Sequence, residues 1–351
     1  MSIVKFSDVA HRAFTKEDRF NTDKIYYVGG EHIETGELFV HNKGTIKGST
    51  IGPMFYCGFK AGQILFVTRN PHLRKCGIVE FDGICSEKTF VIETKDRNVL
   101  LQEYLAMIMQ SDEFWDYCEE NKSGGVNFFL NWSTLADYEF DLPPISEQKK
   151  LTGKLFAAYR MKESYKKLLT ATQEMVKSQF IEMFKEDNMI PLGQFCIIEK
   201  GTTITREQVS PGNIPVVAGG KEPSCYHNNS NRDAGTITVS ASGAYAGYVN
   251  YWDMPIFASD CNTIKPKQNY DVDVTFLYSG LKAMQNEIYD LQKGGAQPHV
   301  YGKDLEKVLF PLPIHEKQLN FSAIAKHADK SEFELRKSIE AIDNVIKSLI
   351  N

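Results

Sequence analysis

Asp82, Glu93 and Lys95 come closest, by residue type and spacing, to a catalytic set. Metal-dependent nucleases place an aspartate upstream of a Glu-x-Lys pair, because two carboxylates can hold Mg²⁺ beside a lysine. Here Asp82 is followed by Glu93-Thr94-Lys95, but no proline precedes Asp82 and the second half of the chain has no counterpart. The pattern favours a strand with charged ends, and a metal-dependent DNA nuclease stays open as an alternative function.

Other catalytic signatures are missing from the sequence. A methyltransferase needs a glycine-rich loop for the methyl donor and an NPPY-like tetrapeptide, and the nearest approach, NPHL at Asn70–Leu73, lacks the second proline and the aromatic residue. The sequence has no GxxxxGKS/T phosphate-binding loop and no HExxH zinc motif, and its seven scattered cysteines form no CxxC pair. We therefore predict no catalytic residue, no metal site and no cofactor in this chain.

Composition and charge indicate a globular chain of two domains. The 351 residues exceed the roughly 100–200 expected of one domain, and the 42% hydrophobic and 24% charged residues are ordinary for a folded protein. The net charge of −5 excludes a histone-like mode of binding but permits local basic grooves. With no signal peptide and no run of 18 apolar residues, we expect a cytoplasmic protein without a membrane partner.

The chain contains an internal repeat at an offset of 170 residues. Gly124–Phe140 aligns without gaps with Gly294–Phe310, and the paired glycines at the start of each copy predict a tight turn or close backbone packing, with DNA contact as a secondary alternative. After a one-residue slip, the alignment continues into two proline exits, LPPISEQ ending at Gln148 and PLPIHEKQ ending at Gln318. We therefore predict two copies of one architecture with different surfaces.

A long helical pattern follows each proline exit. From Ser146 to about Phe184 there is no proline and one glycine, Gly153, which either weakens the helix by about 1 kcal/mol relative to alanine or permits a close helix approach. The C-terminal pattern steps by four and three residues, as along a coiled-coil seam. Each helix could pack on its own domain, but two long, equivalent stripes favour an antiparallel pair. The predicted spacer and partner-docking positions are Leu151, Leu155, Tyr165, Leu168, Met175, Leu335, Ile339, Ile342, Ile346 and Leu349.

The predicted fold class is α+β, with two pseudo-repeated globular α/β domains separated by long helices that pair as an antiparallel coiled coil. Short apolar runs bounded by turn residues predict the strands, and Asn98–Cys118 and Val274–Leu291 are predicted to be helical. The predicted limits are 1–145 for the first globular domain, 146–187 for the central helix, 188–313 for the second globular domain and 314–351 for the C-terminal helix.

The ordered motifs of the second half resemble a known family. They are IPLGQFCIIEKGTTIT (Ile190–Thr205), NIPVVAGG, VSASGAYAGYV, and the exit GGAQPHV followed by LEKVLFPLP. Because each half also ends in a glycine pair, a proline exit and a long helix, the whole chain resembles the specificity (S) subunit of Type I restriction-modification systems, the HsdS family. The first half opens with a weaker counterpart, VKFSDVA (Val4–Ala10), and lacks a clear KGxT loop.

This resemblance implies a noncatalytic subunit that selects DNA for other subunits. The two globular domains would be target-recognition domains that read the two halves of an asymmetric, bipartite sequence in double-stranded DNA. The paired helices would be a spacer and a docking platform for two DNA methyltransferase (M) subunits, and restriction (R) subunits could join them. S-adenosylmethionine, ATP and Mg²⁺ would then belong to those partners.

The second half offers polar side chains suited to DNA on three segments. Phosphate contacts position a protein on the duplex, whereas asparagine and arginine can bind adenine and guanine edges in the major groove. Any one of these residues could belong to an ordinary polar loop, but together the segments favour DNA contact. The predicted contacts are Lys200, Thr202, Thr203, Arg206, Tyr226, Asn228, Asn229, Arg232, Ser242 and Tyr245.

The first half offers two basic segments, HNKGTIKGST (His41–Thr50) and TRNPHLRK (Thr68–Lys75). A solvated basic turn is the alternative to DNA contact for both segments. The predicted contacts are Lys43, Lys47, Arg69, His72, Arg74 and Lys75. A further alternative for the whole chain is a coiled-coil scaffold without DNA readout.

Overall fold

The computed structural model describes residues 2–351, which divide into two compact units. Unit 1 comprises the chain up to Ser164 together with Ile339–Asn351, and unit 2 comprises Tyr165–Ser338. The predicted domain limits stay predictions. Among the described residues, no helix combines the length and the apolar composition needed to cross a bilayer.

Unit 1 consists mainly of short strands, which are rich in apolar and β-branched residues and are separated by turns. Two 3₁₀ turns, Gly30–His32 and Pro71–Leu73, lie between strands. The helices and strands in chain order are β1 (Ser2–Lys5), α1 (Phe6–Val9), β2 (Ala10–Arg12), β3 (Thr15–Lys16), β4 (Tyr26–Val28), β5 (Phe39–Val40), β6 (Gly44–Thr45), β7 (Phe55–Phe59), β8 (Ile64–Val67), β9 (Cys76–Val79), β10 (Gly83–Ser86), β11 (Thr89–Thr94), α2 (Gln102–Ile108), α3 (Asp112–Glu120), α4 (Trp132–Ala136), β12 (Glu139–Leu142) and α5 (Ile145–Phe184), which continues into unit 2.

Unit 2 repeats this plan with fewer strands. Its single 3₁₀ turn among the described residues is Arg206–Gln208. Its further elements are β13 (Met189–Pro191), α6 (Leu192–Phe195), β14 (Cys196–Lys200), β15 (Ile214–Val217), β16 (Cys225–His227), β17 (Thr236–Ser240), β18 (Val249–Trp252), β19 (Phe257–Ala258), β20 (Cys261–Pro266), α7 (Val274–Ala283), α8 (Gln285–Tyr289), α9 (Gly302–Leu305), β21 (Leu309–Pro311) and α10 (His315–Ile350), which ends in unit 1.

Two five-stranded sheets form the centre of unit 1, with strand orders β3-β7-β10-β4-β6 and β2-β11-β8-β9-β5. Side chains on a strand point alternately to opposite faces. In β8, Leu65 and Val67 therefore pack in the core between the sheets. Ile64 and Phe66 pack in a second core that holds α2, α3 and part of α5. All four side chains are buried, which explains why β8 is a continuous apolar run and does not alternate with polar residues.

Unit 2 has a four-stranded sheet, β14-β20-β17-β18, and a three-stranded sheet, β16-β15-β19. Ile237, Val239 and Ile264 of the first sheet pack in one core with α7 and with the phenylalanines of α5 and α10. Short edge pairs close both units, since β1 pairs antiparallel with β12 in unit 1 and β13 with β21 in unit 2. The predicted α+β class is confirmed.

Both long helices contribute an antiparallel pair of segments to each unit. In unit 1, Leu155 and Tyr159 of α5 pack in the same core as Ile346 of α10. In unit 2, Phe180 and Phe184 of α5 pack against Phe321 of α10, with ring centroids 5.4 Å and 5.6 Å apart. The later residues of α5 thus contact the earlier residues of α10, as the sequence predicts for an antiparallel pair.

An ion pair between a buried lysine of α5 and a half-exposed aspartate of α10 joins the two helices in unit 1. Lys162 Nζ lies 2.8 Å from Asp343 Oδ1 and 3.0 Å from Glu37 Oε1. Burial acts to lower the pKa of Lys162, but the hydrogen bonds to the two carboxylates outweigh it and raise that pKa above its ordinary value. Since the folded pKa is the higher one, this contribution to stability is present at neutral pH and is lost as the pH rises through the folded pKa.

The apolar pattern predicted for the seam is only partly buried. Leu155 and Ile346 are buried, and Leu151, Ile342 and Leu349 pack at the edge of the unit 1 core. Tyr165, Leu335 and Ile339 are half-buried. Leu168 and Met175 are 52% and 42% exposed, so neither lies in a helix–helix seam. Their role in docking partners stays a prediction.

The one-residue slip in the predicted repeat is wrong. α5 begins at Ile145 and α10 at His315, which keeps the offset of 170 through both proline exits. Gln148 and Gln318 show the same register, because each donates its side-chain amide to the carbonyl five residues earlier, that of Pro143 and that of Pro313. The sequence alignment paired Pro144 with Pro313, whereas the structure shows that Pro143 is the equivalent of Pro313.

The two predicted helical runs are each broken. Asn98–Cys118 becomes α2 and α3, because the Ser111 hydroxyl accepts a hydrogen bond from Phe114 N and caps a new helix there. Val274–Leu291 becomes α7 and α8, because Met284 leaves helical geometry between them. The apolar periodicity continues across both breaks, so periodicity alone could not reveal them.

Gly153 lies on an exposed face of α5, where an added Cβ would meet no atom within 4 Å. A close helix approach is therefore excluded as its role. We expect Gly153→Ala to stabilise unit 1 by about 0.5–1 kcal/mol, because alanine restricts the unfolded backbone and fits the helix without a clash. Chemical denaturation should show the increase, and a lower unfolding midpoint would contradict it.

Candidate nucleic-acid interface

The two glycine pairs form the same turn in both units. Backbone bridges join Ser123 to Phe129 in unit 1 and Lys293 to His299 in unit 2. The first glycine of each pair takes a left-handed conformation, with φ +99° at Gly124 and +98° at Gly294. A Cβ at Gly124 would meet Asn127 O at 2.6 Å, and one at Gly294 would meet Gln297 O at 2.9 Å. The predicted tight turns are confirmed.

Each of these turns lies beside a segment that carries predicted DNA contacts. In unit 1, Phe129 is bridged to Arg69, which follows β8. In unit 2, His299 is bridged to Ser242, which follows β17. Asp304 supports the second turn through Lys293, whose Nζ lies 2.6 Å from Asp304 Oδ2 and lowers the pKa of that carboxyl. Both units therefore have the same arrangement of a glycine turn bridged to a neighbouring segment. We call this shared arrangement the frame, and the loops that it carries differ between the units.

The loop Lys200–Thr203 of unit 2 is pressed against the end of β19. A Cβ at Gly201 would lie 2.1 Å from Ser259 O, so only glycine fits there. Gly201 N donates to Cys261 O at 2.8 Å, and Thr202 N donates to Ala258 O at 2.9 Å. With the backbone held in this way, the side chains of Lys200, Thr202 and Thr203 are exposed.

Four more predicted contacts are exposed in unit 2. Arg206 lies on the 3₁₀ turn after this loop. Tyr226 of β16 is 55% exposed, and Asn228 and Asn229 follow it on the surface. The buried neighbour His227 fixes their position, because its Nδ1 accepts a hydrogen bond from Ser210 N at 3.0 Å. The two asparagine amides are therefore presented from an anchored strand end.

Arg232 is not a free cation. Its Nη2 lies 3.2 Å from Glu199 Oε2, its Nε donates to Thr263 Oγ1 at 3.1 Å, and its Nη1 donates to Asn231 O at 2.8 Å. Its guanidinium is thus bound within the protein, although the sequence predicts it as a DNA contact.

Ser242 and Tyr245 lie on the loop between β17 and β18. The Ser242 hydroxyl donates to Asp260 Oδ2, which binds that side chain within the protein. Tyr245 is 45% exposed, and Lys221 Nζ lies 5.0 Å from its ring centroid. The sequence reasoning missed Lys221, although its position directly after Gly219-Gly220 in the NIPVVAGG motif could have indicated it.

In unit 1, Lys43 is held on two aromatic rings. Its Nζ lies 4.1 Å from the ring centroid of Tyr26 and 4.2 Å from that of Phe81. Such cation–π contacts orient the ammonium without neutralising it. Lys47 is exposed just beyond β6. Both lysines remain available to a phosphate.

Arg69 and His72 are placed by the turn that follows β8. The Arg69 guanidinium lies 5.2 Å from the ring centroid of Phe129, whose backbone it also bridges. His72 is exposed on the 3₁₀ turn Pro71–Leu73. Asn70 N donates to Phe128 O at 3.0 Å, which ties this turn to the glycine turn of unit 1.

Arg74 and Lys75 are bound within unit 1. The Arg74 guanidinium pairs with Asp112 and lies 3.7 Å from Asp116 Oδ1. Its backbone is left-handed, with φ 48°, a conformation that disfavours a long side chain unless contacts hold it. Lys75 Nζ donates to Gly30 O at 2.6 Å. Of the six predicted contacts in this unit, Arg74 and Lys75 are the two whose charged groups bind a carboxylate or a carbonyl within the described residues.

Asp82, Glu93 and Lys95 engage three different partners. Asp82 Oδ1 accepts from Ala61 N at 3.0 Å, Glu93 Oε2 accepts from Gln63 Nε2 at 2.9 Å, and Lys95 Nζ donates to Ser7 O at 2.6 Å. Within residues 2–351, no three His, Cys, Asp or Glu side chains are arranged to hold a metal ion. Nothing in these contacts supports the nuclease alternative.

Comparison with known proteins finds similarity to DNA specificity subunits. Residues 185–343 match the sequence model of the Type I restriction modification DNA specificity domain. A Mycoplasma pneumoniae protein whose name assigns it to the type I specificity subunits is 25% identical over 48% of this chain and 44% of its own length. The specificity subunit of the EcoDI type I restriction enzyme of Escherichia coli is 28% identical over 28% of this chain and 21% of its own length.

The likeness of fold extends over the whole chain. The S subunit of a Type I restriction-modification system from M. genitalium superposes with a TM-score of 0.66 at 14% identity, and the match covers 99% of this chain and 94% of that one. The chain matches less than half the length of the two sequence relatives. The resemblance drawn from the sequence is confirmed for residues 185–343, which match the DNA specificity domain of Type I systems, and the chain as a whole shares the fold of the M. genitalium S subunit.

Proposed function

We propose that this chain is the noncatalytic DNA-recognition subunit of a Type I restriction-modification complex, in which each unit reads one half of a bipartite target. One observation carries the proposal: the two units share a frame but expose different side chains. Unit 1 exposes Lys43 and Lys47, whereas unit 2 exposes Lys200, Asn228 and Asn229. Because the two units carry different loops on the same frame, they read different half-sites, and the target is therefore asymmetric.

The proposal assigns chemistry to the partners. Two methyltransferase subunits bind the paired helices of this cytoplasmic chain, and exposed Leu168 and Met175 on α5 support such docking. S-adenosylmethionine belongs to the methyltransferases, and ATP and Mg²⁺ belong to restriction subunits where these join. The role of this chain is to position the duplex for a reaction that the partners carry out.

Mapping of methylated bases in the genome tests the proposal. A strain with the intact gene should carry methylation at a split, asymmetric motif, and that methylation should vanish when the gene is deleted and return when it is restored. An unchanged methylation map would contradict DNA recognition by this chain. A continuous palindromic motif would contradict the division of labour between the units.

Lys200→Ala should weaken binding by the assembled complex about equally for all DNA sequences. Because Lys200 is an exposed cation on a polar loop, its loss removes one phosphate contact and reduces the slope of log K against log salt by about 0.9. The matched control is Lys265→Ala, since Lys265 is exposed near the opposite end of the β14–β20 pair. Equal salt slopes for wild type and Lys200→Ala would contradict the assignment.

A further inference from the structure

We infer that Arg232 is a positioning residue of the unit 2 reader, which fixes the Lys200–Thr203 loop and does not itself bind DNA. The inference rests on the proposed function, because positioning matters only if this surface reads DNA. It also changes the role that the sequence suggests, since the type and location of Arg232 predict a guanine contact.

The contacts of the guanidinium leave little capacity for DNA. A guanidinium has five N–H donors. Those of Arg232 serve Glu199 Oε2, Thr263 Oγ1 and Asn231 O, and Nη2 also reaches Lys200 O at 3.4 Å. Only 22% of the side chain is exposed. A bidentate contact with guanine would require Arg232 to give up the pairing with Glu199.

These contacts hold the strand end from which the loop leaves. Glu199 and Lys200 are the last residues of β14. Thr263, which is buried, accepts from Arg232 Nε and donates its hydroxyl to Glu199 O at 3.2 Å. Arg232 therefore contacts this strand end directly through Glu199 and Lys200 and indirectly through Thr263.

The neighbouring Asn231 holds the segment on which the loop rests. Its Nδ2 donates to Ala258 O at 2.9 Å, and its Oδ1 accepts from Ala258 N at 2.6 Å. The Arg232 backbone exchanges two hydrogen bonds with Ile256. The loop itself donates Thr202 N to Ala258 O. Asn231 and Arg232 thus link the end of β14 to the segment 256–258, on which the loop rests.

This arrangement relates two groups of exposed side chains. Lys200, Thr202 and Thr203 lie at the strand end and loop that the Asn231–Arg232 junction holds, and Asn228 and Asn229 precede the junction in the chain with Ser230 between. Contacts with base edges require positions held within about 0.5 Å, whereas contacts with phosphates tolerate more movement. Loss of the junction should therefore reduce selectivity for the target and leave non-specific binding unchanged.

The test uses the full chain assembled with its methyltransferase subunits. The probes are a duplex that carries the mapped methylation motif and a duplex of equal length with that motif scrambled. We expect Arg232→Lys to reduce affinity for the target 10- to 100-fold, because an ammonium keeps the charge but cannot make the forked contacts. Affinity for the scrambled duplex and the salt slope should not change.

Thr263→Val is the decisive second variant. Thr263 is buried and has no access to DNA, but its hydroxyl is a partner of Arg232. We expect it to reproduce the loss of selectivity at unchanged salt slope. Full target affinity in Thr263→Val, or a salt slope that falls by about 0.9 in Arg232→Ala, would overturn the inference in favour of direct contact.

Two further controls separate the possible failures. If either variant unfolds unit 2 in hydrogen exchange, Glu199→Gln replaces it, because the Glu199 side chain is exposed and outside the core. That variant should lose selectivity several-fold, and full selectivity would overturn the inference. If the wild-type complex does not distinguish the two duplexes, the proposed function itself fails.

Discussion

Deletion of Ile339–Asn351 is expected to unfold unit 1 and to leave unit 2 folded. These residues are the part of α10 that belongs to unit 1. Their loss removes Ile346 from the core and the partly buried Ile342 and Leu349 from its edge. It also leaves the buried Lys162 without Asp343. Truncation of one buried isoleucine costs about 2–5 kcal/mol, so the sum approaches the whole stability of a small domain.

Hydrogen exchange measured by mass spectrometry can follow the two units separately. After the deletion, peptides from β8 and β11 should exchange rapidly, whereas peptides from β17 and β20 should stay protected. Two adjacent point variants refine the result. Ile346→Ala should destabilise unit 1 by about 2–5 kcal/mol, whereas Val345→Ala, at a residue 52% exposed, should change it by less than about 0.5 kcal/mol. Equal effects of the two, or full protection of unit 1 after the deletion, would contradict the packing described above.

Gln148→Leu and Gln318→Leu are each expected to destabilise their own unit by about 3–5 kcal/mol. Gln148 accepts from Leu101 N and donates to the carbonyls of Val99 and Pro143. Both side chains are buried, and leucine of similar volume would leave three backbone groups without partners. Each unsatisfied buried group costs about 1–3 kcal/mol.

Gln318 makes the equivalent three bonds in unit 2. It accepts from Asp273 N and donates to the carbonyls of Asp271 and Pro313. Each glutamine thus ties the first turn of a long helix to the start of a core helix and to the proline exit. Gln173→Ala is a suitable control, since that exposed side chain makes one hydrogen bond, to Glu332. A small loss of stability in the buried variants, or a loss in the wrong unit, would contradict this account.

The sequence was sufficient for the repeat, the class of fold and the pairing of the helices. Gln148 and Gln318 even stood in the quoted motifs, but only the structure shows why glutamine is needed there. The buried positions of the helix–helix seam were harder to predict from the sequence, because α5 carries apolar residues on more than one face. Periodicity could not separate buried Leu155 from exposed Leu168.

The candidate DNA contacts show the same limit. Composition identifies cations on polar loops, but whether a cation is free depends on acids that are distant in sequence. Asp112 is 38 residues from Arg74, and Glu199 is 33 residues before Arg232, and neither pairing leaves a local signal. By contrast, Lys200 and Asn228 are exposed, and their contact with DNA stays a prediction.

The two glutamine ties and the two glycine turns are made almost wholly of main-chain groups and amides, while the exposed loops lie outside them. Substitution of an exposed side chain on a loop therefore leaves these ties and turns in place. Under the proposed function, exposed loop residues can change the DNA sequence that one unit recognises without compensating changes in its interior. In the proposed function, the residues that choose the target and the residues that hold the architecture are therefore different ones.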